Sequence, residues 1–590
     1  MAMIAIAAVV GAKGARAGEN SVHGRIFVLM VWDGLRPDLV DELNTPKLVA
    51  LENAGVRFAR HHSIYPTLTM VDAAGLATGA SPSGSGIYGD MMYLAPVLDM
   101  TRAAAIPLLG GLLGDPLNLE HSQYLARLND PRAFDSHLMG LGTTAKEVER
   151  AGGFVAVLGK QGPTLLFDDN FAKPEANAEV PRNFMFIADD MAAPSTMAAE
   201  FARMPSMTRG DHASVIARDA WLAKIAADQA LPAAKLASDR GKPAMVVFWQ
   251  HNPDLTQHLA GLGTQPAQDA LRACDANLAT MRAAIAALGI ADRTDLVVVS
   301  DHGFATIKAT VPLTRLLAAA GLKKAVESKE IVVASNGGGD WIYVSKKDFP
   351  TATARREVLR RIVEYAESQE WSGPIFSRAP SVANHAGSAR GYGGSIDGTF
   401  NQSAFGLGDN ARAPDLIISF RELPDTDNRA LTGPQNPAFS IGPNGPEAHA
   451  NQSSALVHAV PGVIYADANG FSSGMGMHGA AGTRELHNFC AAIGPDFRRG
   501  LVDNAPTGNA DVATTAGEIL GQAPIAGATG RVLREALARN DADSRLRAEP
   551  VTATAALTLK NSRIVTTLRL TRYAGREYLD GAEVEVTPAK

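Results

Sequence analysis

The stretch RIFVLMVWDG, residues 25–34, holds an unbroken apolar run from Ile26 to Trp32 that ends on an acid, Asp33. A strand with one wet face alternates apolar and polar residues, whereas a continuous run describes a strand covered on both faces. Two more runs share the pattern: AMVVFWQ (Ala244 to Gln250) and DLVVVS (Asp295 to Ser300). Between them lies DALRACDANLATMRAAIAALGI (269–290), with apolar residues at helical spacing and Gly289 placed as a stop. Strand, crossover helix, strand is the grammar of a parallel α/β sheet, and a short apolar run followed by a longer Ala/Leu-rich stretch recurs from Arg25 onward.

The chain of 590 residues, 46% hydrophobic and 20% charged, has ample material for one large α/β core with insertions. That composition excludes a disordered or collagen-like chain. The formal net charge of -6 leaves no basic surplus to neutralise a phosphate backbone, which speaks against stable nucleic-acid binding. Cys274 and Cys490 form no CxxC pair, so a cysteine-zinc module or disulfide scaffold is not expected; two buried thiols or a single bridge remain.

Residues 1–17 form an apolar run closing on Ala15-Arg16-Ala17, a small-x-small pattern suited to cleavage before Gly18, although no Lys or Arg precedes the run. The expectation is a signal peptide and a periplasmic or secreted protein. No later stretch reaches the roughly 20 apolar residues of a membrane-spanning helix. The core is expected over 18–540. An inserted cap rich in Gly, Asn, Ser and Pro is expected over about 375–476, and a small β-rich appendage over 541–590.

Each of the three clearest strands runs into an acid: Asp33 and Asp301 directly, Asp254 four residues after Gln250. Ligands of open α/β sheets bind beyond the carboxyl ends of the strands, so these carboxylates should converge, and carboxylates packed together need cations between them. In HNPDLTQHLAG, Asn252 can cap and Pro253 can begin a short helix that sets Asp254 and His258 at i and i+4 on one face. Asp301 and His302 are adjacent where a strand breaks. Asp and His donors without thiolate suit zinc or a similar divalent ion, two by the number of ligands. Singly, each acid is as well explained as a cap or turn former; the conjunction carries the argument. His61, His62, His251 and His487 are read as packing or supporting residues.

HHSIYPTLTMVDAAGLATGASPSGSGIYG (61–89) is extended through Pro66, with a small-residue helix starting near Thr69. A hydroxyl at a helix N-terminus beside a dication is favoured as alkoxide, which makes Thr69 a candidate nucleophile. The alternative is that Thr67 or Thr69 merely caps the helix.

In order and spacing, the motifs VWDG, PTLTMVDAAGLATG, PDLTQH, SDHGF and GMHGAAGTRELHNFCAAIGPDF resemble the alkaline phosphatase superfamily, with the nucleotide pyrophosphatase/phosphodiesterase branch most similar. The resemblance runs from about residue 25 to 540. It implies a three-layer sandwich around a mostly parallel sheet. It also implies one zinc held by Asp254, His258 and His478, and a second held by Asp33, Asp301 and His302 beside Thr69, giving two Zn2+ per chain. His478 rests on the resemblance alone. The implied activity is hydrolysis of phosphodiester or nucleotide-like phosphates, with small phosphorylated substrates and a phospho-threonine intermediate. Phosphomonoester or phosphonate hydrolysis on the same core is the alternative, and a metal-binding scaffold without catalysis the third reading. Type I sulfatases are excluded, since neither cysteine sits in a Cys/Ser-x-Pro-x-Arg setting. The family generally has Asn three positions after its nucleophile, donating to a phosphoryl oxygen; this chain has Asp72, an acceptor when ionised, so a preference for diesters is expected. Lys160, in AVLGKQGP, is expected either to add positive charge to the site or to be a surface lysine.

Overall fold

The computed structural model describes residues 24–98, 114–130, 138–168, 184–193, 197–208, 210–378, 391–408, 410–424, 439–442, 445–448, 460–539, 542–543 and 545–589. Nine strands form the central sheet: β1 (Ile26–Trp32), β2 (Val56–His62), β3 (Phe154–Gly159), β4 (Phe184–Ala188), β5 (Met191–Ala193), β6 (Ala244–Gln250), β7 (Thr294–Val299), β8 (Cys490–Ile493) and β9 (Leu501–Gly508). Their order is β9-β2-β8-β7-β1-β6-β3-β4-β5. Only β8 and β5 run against the rest, so the sheet is mostly parallel, as expected.

Period-two geometry sends the side chains of β1 into two cores. Phe27, Leu29 and Val31 pack on the face that also receives Met70, Val71 and Ala73 of α1 (Thr69–Thr78). Ile26, Val28, Met30 and Trp32 enter the opposite face with Leu271, Leu278 and Met281. These last belong to the crossover helix α3 (Gln265–Ala287), which follows the short α2 (Asp254–Ala260). The α3 helix ends two residues before Gly289, whose φ is 64°. Helices on both faces of one sheet make the three layers, with α4 (Asn509–Ile519) packed beside α1. Each apolar side chain buried in these strands is worth about 1.5–3 kcal/mol.

Between β7 and β8 the described residues build a two-stranded sheet, Phe439–Gly442 with Gly445–Ala448, and two larger ones. One orders Ile331–Ser335, Gly339–Val344, Leu416–Phe420, Ser372–Ser377 and Phe400–Asn401; the other orders Glu422–Leu423, Val463–Asp467, Ala305–Val311 and Gly476–Met477. This lobe therefore begins at Ala305, well before the 375–476 stretch that composition marks as a loop-rich insertion, and its described part is strand-rich. Gly and Pro within SGPIFS conceal a strand whose partners lie some 40 residues away, at Leu416–Phe420.

The C-terminal appendage is a three-stranded antiparallel sheet, Glu549–Thr558, Ser562–Tyr573 and Arg576–Pro588. It is pinned to the core where the Tyr578 hydroxyl donates to Asp511 Oδ2 of α4 at 2.8 Å. Cys274 and Cys490 are both buried free thiols. Among the described residues no helix is long and apolar enough to cross a membrane. The expected signal peptide, residues 1–17, lies outside the described residues.

Candidate active site

The register of the central strands brings the acids together. Val31 of β1 stands opposite Trp249 of β6 and Val299 of β7, so all three chains leave the sheet at one level. Asp33 follows directly, and Gly34 turns the backbone at a φ of 71°. A side chain at Gly34 would meet the Phe304 ring at 2.9 Å and Asp254 Cβ at 3.1 Å, so only glycine fits. Its N–H donates to Asp301 Oδ1 at 3.0 Å, while the Asp254 N–H donates to the Asp33 carbonyl at 2.9 Å. The turn thus ties the three acidic segments to one another.

On α2 the i, i+4 spacing puts His258 Nε2 3.2 Å from Asp254 Oδ1. Pro253 rather than Asn252 stands at the N-cap; the Asn252 side chain instead accepts from the Thr256 hydroxyl. His478 follows the short strand Gly476–Met477, and its Nε2 lies 3.5 Å from Asp254 Oδ1 and 3.2 Å from His258 Nε2. His302 Nε2 lies 3.2 Å from Asp301 Oδ2 and 3.6 Å from Asp33 Oδ1. Two groups of possible donors thus assemble, Asp254 with His258 and His478, and Asp33 with Asp254 and His302, while Asp301, expected in the second group, stands beside His302.

The hydrogen bonds fix how these imidazoles point. Nδ1 of His258 meets the Gly476 carbonyl at 2.9 Å, that of His302 the Gly303 carbonyl at 2.9 Å, and that of His478 the Thr67 carbonyl at 2.8 Å. A ring nitrogen facing a carbonyl carries the proton, so all three turn Nε2 toward the carboxylates. Among the described residues, Asp33 Oδ1, Asp254 Oδ1 and Asp301 Oδ2 are buried with no hydrogen-bond partner. Imidazole nitrogens facing such carboxylate oxygens form a donor set suited to divalent cations.

The protein's own charges tell the same story. Burial, reinforced by Asp254, pushes the Asp33 carboxyl up to about 6. Burial, with Asp33 beside it, raises Asp301 well above the usual carboxylate range. Burial also works to raise Asp254, but His258 and Lys160 outweigh it and hold that carboxyl well below. Burial drives His302 down to about 3.

Lys160 lies among these carboxylates rather than at the surface. Its Nζ lies 2.9 Å from Asp33 Oδ2, 3.4 Å from Asp254 Oδ2 and 3.4 Å from Glu120 Oε1. Burial opposes its charge, but these carboxylates keep it protonated.

Thr69 opens α1, its side chain makes no cap bond, and its Oγ1 lies 3.2 Å from His302 Nε2. The Thr67 hydroxyl is committed elsewhere, donating to the Ala480 carbonyl and accepting from the Gly479 N–H. Neither threonine caps the helix.

The expected role of Asp72 is corrected. Its carboxylate accepts from the Ser63 hydroxyl at 2.7 Å, the Ile64 N–H at 2.8 Å and the Asn509 amide at 2.8 Å. An i+3 position shares a helix face only approximately, and here the carboxylate is consumed in joining α1 to α4 rather than aimed at a phosphoryl group. The same Asn509 amide donates to the Asp301 carbonyl, and its oxygen meets His61 Nε2. His61 is thus a supporting residue, as is His251, clasped between Asp219 and Asp189. His62 and His487 lie together away from the Thr69 site, beside Asp580.

Three neighbours escaped the sequence reading. The Trp249 indole donates to Asp33 Oδ2 at 2.8 Å, Glu120 holds Lys160, and Asp90 Oδ1 accepts from the Met70 N–H next to Thr69. The position of Trp249 at the carboxyl end of a strand was the one available signal. Asp90 and Glu120 sit in segments without periodicity.

No curated protein matches the chain. Among solved structures, murine ectonucleotide pyrophosphatase/phosphodiesterase 5 aligns at 14% identity and TM-score 0.48, covering 85% of this chain and 96% of that one. An inactive variant of it, in complex with AMP, aligns to the same extent. The human protein aligns at 13% identity and TM-score 0.49, over 85% and 95%. The family described as Type I phosphodiesterase / nucleotide pyrophosphatase matches residues 27–423, from β1 into the second lobe. With most of the chain so matched, this protein belongs to the Type I phosphodiesterase / nucleotide pyrophosphatase family of hydrolases.

Proposed function

We propose that the chain hydrolyses phosphodiesters or nucleotide-like phosphates by way of a phospho-threonine on Thr69, at a site holding two zinc ions. The reading rests on one observation: three imidazole Nε2 atoms and three orphaned carboxylate oxygens converge beside a hydroxyl at a helix N-terminus. Asp254, His258 and His478 would hold one ion, and Asp33, Asp301 and His302 the other beside Thr69. Bound there, zinc would supply Lewis acidity, lowering the pKa of an adjacent hydroxyl or water and offsetting charge that develops on phosphoryl oxygens.

The chain's own residues supply the rest. Thr69 Oγ, its proton lost to solvent, attacks phosphorus in line; the P–O bond to the leaving group breaks, and the leaving oxygen takes a proton from solvent. Water then attacks the phosphorus of phospho-Thr69 and returns the free hydroxyl. Lys160, buried among the carboxylates, sets a positive charge where phosphoryl oxygens gather. Asn509 and the Gly34 turn hold Asp301 and Asp33 in position throughout.

Lys160 also favours a second reading, phosphomonoester hydrolysis, since a fixed cation attracts a dianion more than a monoanion. The repulsion expected from Asp72 does not oppose it. Turnover of bis-p-nitrophenyl phosphate against p-nitrophenyl phosphate, before and after chelation, separates the two. Turnover of neither by the zinc-loaded protein would leave a scaffold. Export belongs to the same reading, and a mature N-terminus at Gly18 would support it.

A further inference from the structure

We propose that His62, His487 and Asp580 form a further metal site, of the zinc class and distinct from the Thr69 cluster, that clamps the C-terminal sheet onto the catalytic core. It goes beyond the hydrolytic reading and does not depend on it. The three residues come from three places: His62 from the end of β2, His487 from the turn after the short helix Thr483–Leu486, and Asp580 from the last strand of the appendage. One ligand atom from each lies within 4.8 Å of the other two.

His62 carries the argument. Its Nδ1 lies 2.9 Å from the Thr507 carbonyl, which turns Nε2 toward Asp580 Oδ1, 3.0 Å away. The remaining Asp580 oxygen, Oδ2, accepts from the Thr571 hydroxyl at 2.7 Å, which orients Oδ1 toward the rings. His487 Nε2 stands 3.9 Å from the same Oδ1, and the two rings lie 4.6 Å apart. Donors at about 2.0–2.2 Å from one tetrahedral ion are separated by about 3.4 Å, and the two measured separations bracket that value. An imidazole anchored to a backbone carbonyl, opposite a carboxylate anchored by a hydroxyl, repeats the supporting pattern of metal ligands. Two imidazoles and one carboxylate select zinc or a similar transition ion over magnesium or calcium.

A single group works against the site. Arg60 Nη2 lies 3.8 Å from Asp580 Oδ1 while donating to the Thr571 hydroxyl. The Arg60 side chain is 38% exposed, so it can turn outward, but its charge makes this ion the more weakly held. His62 lines a cleft between core and appendage, which gives the ion an entry path.

The test is a difference in metal content. Full-length protein saturated with zinc and freed of excess is compared with His487→Ala and Asp580→Asn by elemental mass spectrometry. Each variant is expected to hold one zinc equivalent fewer than wild type, to show a smaller zinc-induced rise in Tm, and to keep its ester turnover. Equal zinc content in wild type and both folded variants would overturn the proposal. His487 is partly exposed, so His487→Ala decides the matter alone if Asp580→Asn fails to fold. Because a difference is read, the result stands whether the Thr69 cluster carries two ions or none.

Discussion

The Thr69 hydroxyl lies 3.2 Å from His302 Nε2, although 233 residues separate the two in the chain. The contact exists because β7 ends just before Asp301 and α1 begins at Thr69, and both ends open at the carboxyl edge of the sheet. The proposed nucleophile at a helix N-terminus thereby meets the turn that carries Asp301 and His302, proposed ligands.

Metal removal gives the first prediction. Asp254 faces His258, His478, His302 and Lys160, so Asp254→Ala should strip more metal than His478→Ala, which disturbs one donor group. Chelation of the wild type should abolish turnover, and zinc should restore it. Elemental analysis against activity checks both, and full activity in metal-free protein would be incompatible with the site.

Asp72 provides a prediction of the opposite kind. Its carboxylate joins α1 to α4, so Asp72→Ala leaves buried donors unpaired, costing about 1–3 kcal/mol for each. The ratio of monoester to diester kcat/KM should stay as it is in the wild type. Denaturant unfolding and paired kinetics measure the two effects separately; a changed ratio would return Asp72 to the phosphoryl group.

Lys160 should govern that ratio instead. Lys160→Met removes the ammonium that bridges Asp33, Asp254 and Glu120, and a charged hydrogen bond is worth about 1.5–3 kcal/mol. Monoester kcat/KM is expected to fall about 10- to 100-fold, and diester kcat/KM by less. An equal fall for both substrates would mean that Lys160 positions Asp33 rather than meeting the substrate.

Glu367 sets a pH dependence of stability. It ends the helix Ala352–Glu367, its two carboxylate oxygens have no partner among the described residues, and burial pushes it up to about 8 from an ordinary 4.5. The folded state therefore holds this proton more tightly than the unfolded chain does. Its contribution is fully present below about 4.5 and is lost as pH rises through about 8. Glu367→Gln should flatten the decline, by a few kcal/mol at most, since one pKa unit is about 1.4 kcal/mol. Tm measured across that range in both proteins checks it; parallel curves would contradict it.

Much of this was legible in the sequence because the site is built on regular elements. The runs at Ile26 and Ala244 gave β1 and β6 to the residue, and the acids after them followed from the rule for parallel sheets. Asp254 and His258 came from helical spacing. His478 did not, since it arrives on a two-residue strand that no periodicity marks. Asp72 was misplaced because helical spacing gives a face but not the partners that compete for a carboxylate, and Ser63, Ile64 and Asn509 meet it only in three dimensions. Over 375–476 composition alone suggests loop, because the strands there are short and pair across long gaps.

The most direct test of the account is acid quenching of zinc-loaded protein during turnover, followed by peptide mapping. The account predicts a single phosphate on the Thr69 side chain, present in the wild type and absent from Thr69→Ala, which should also lose turnover while keeping its metal. Phosphate on Thr67, or a Thr69→Ala variant that still turns over at most of the wild-type rate, would contradict it.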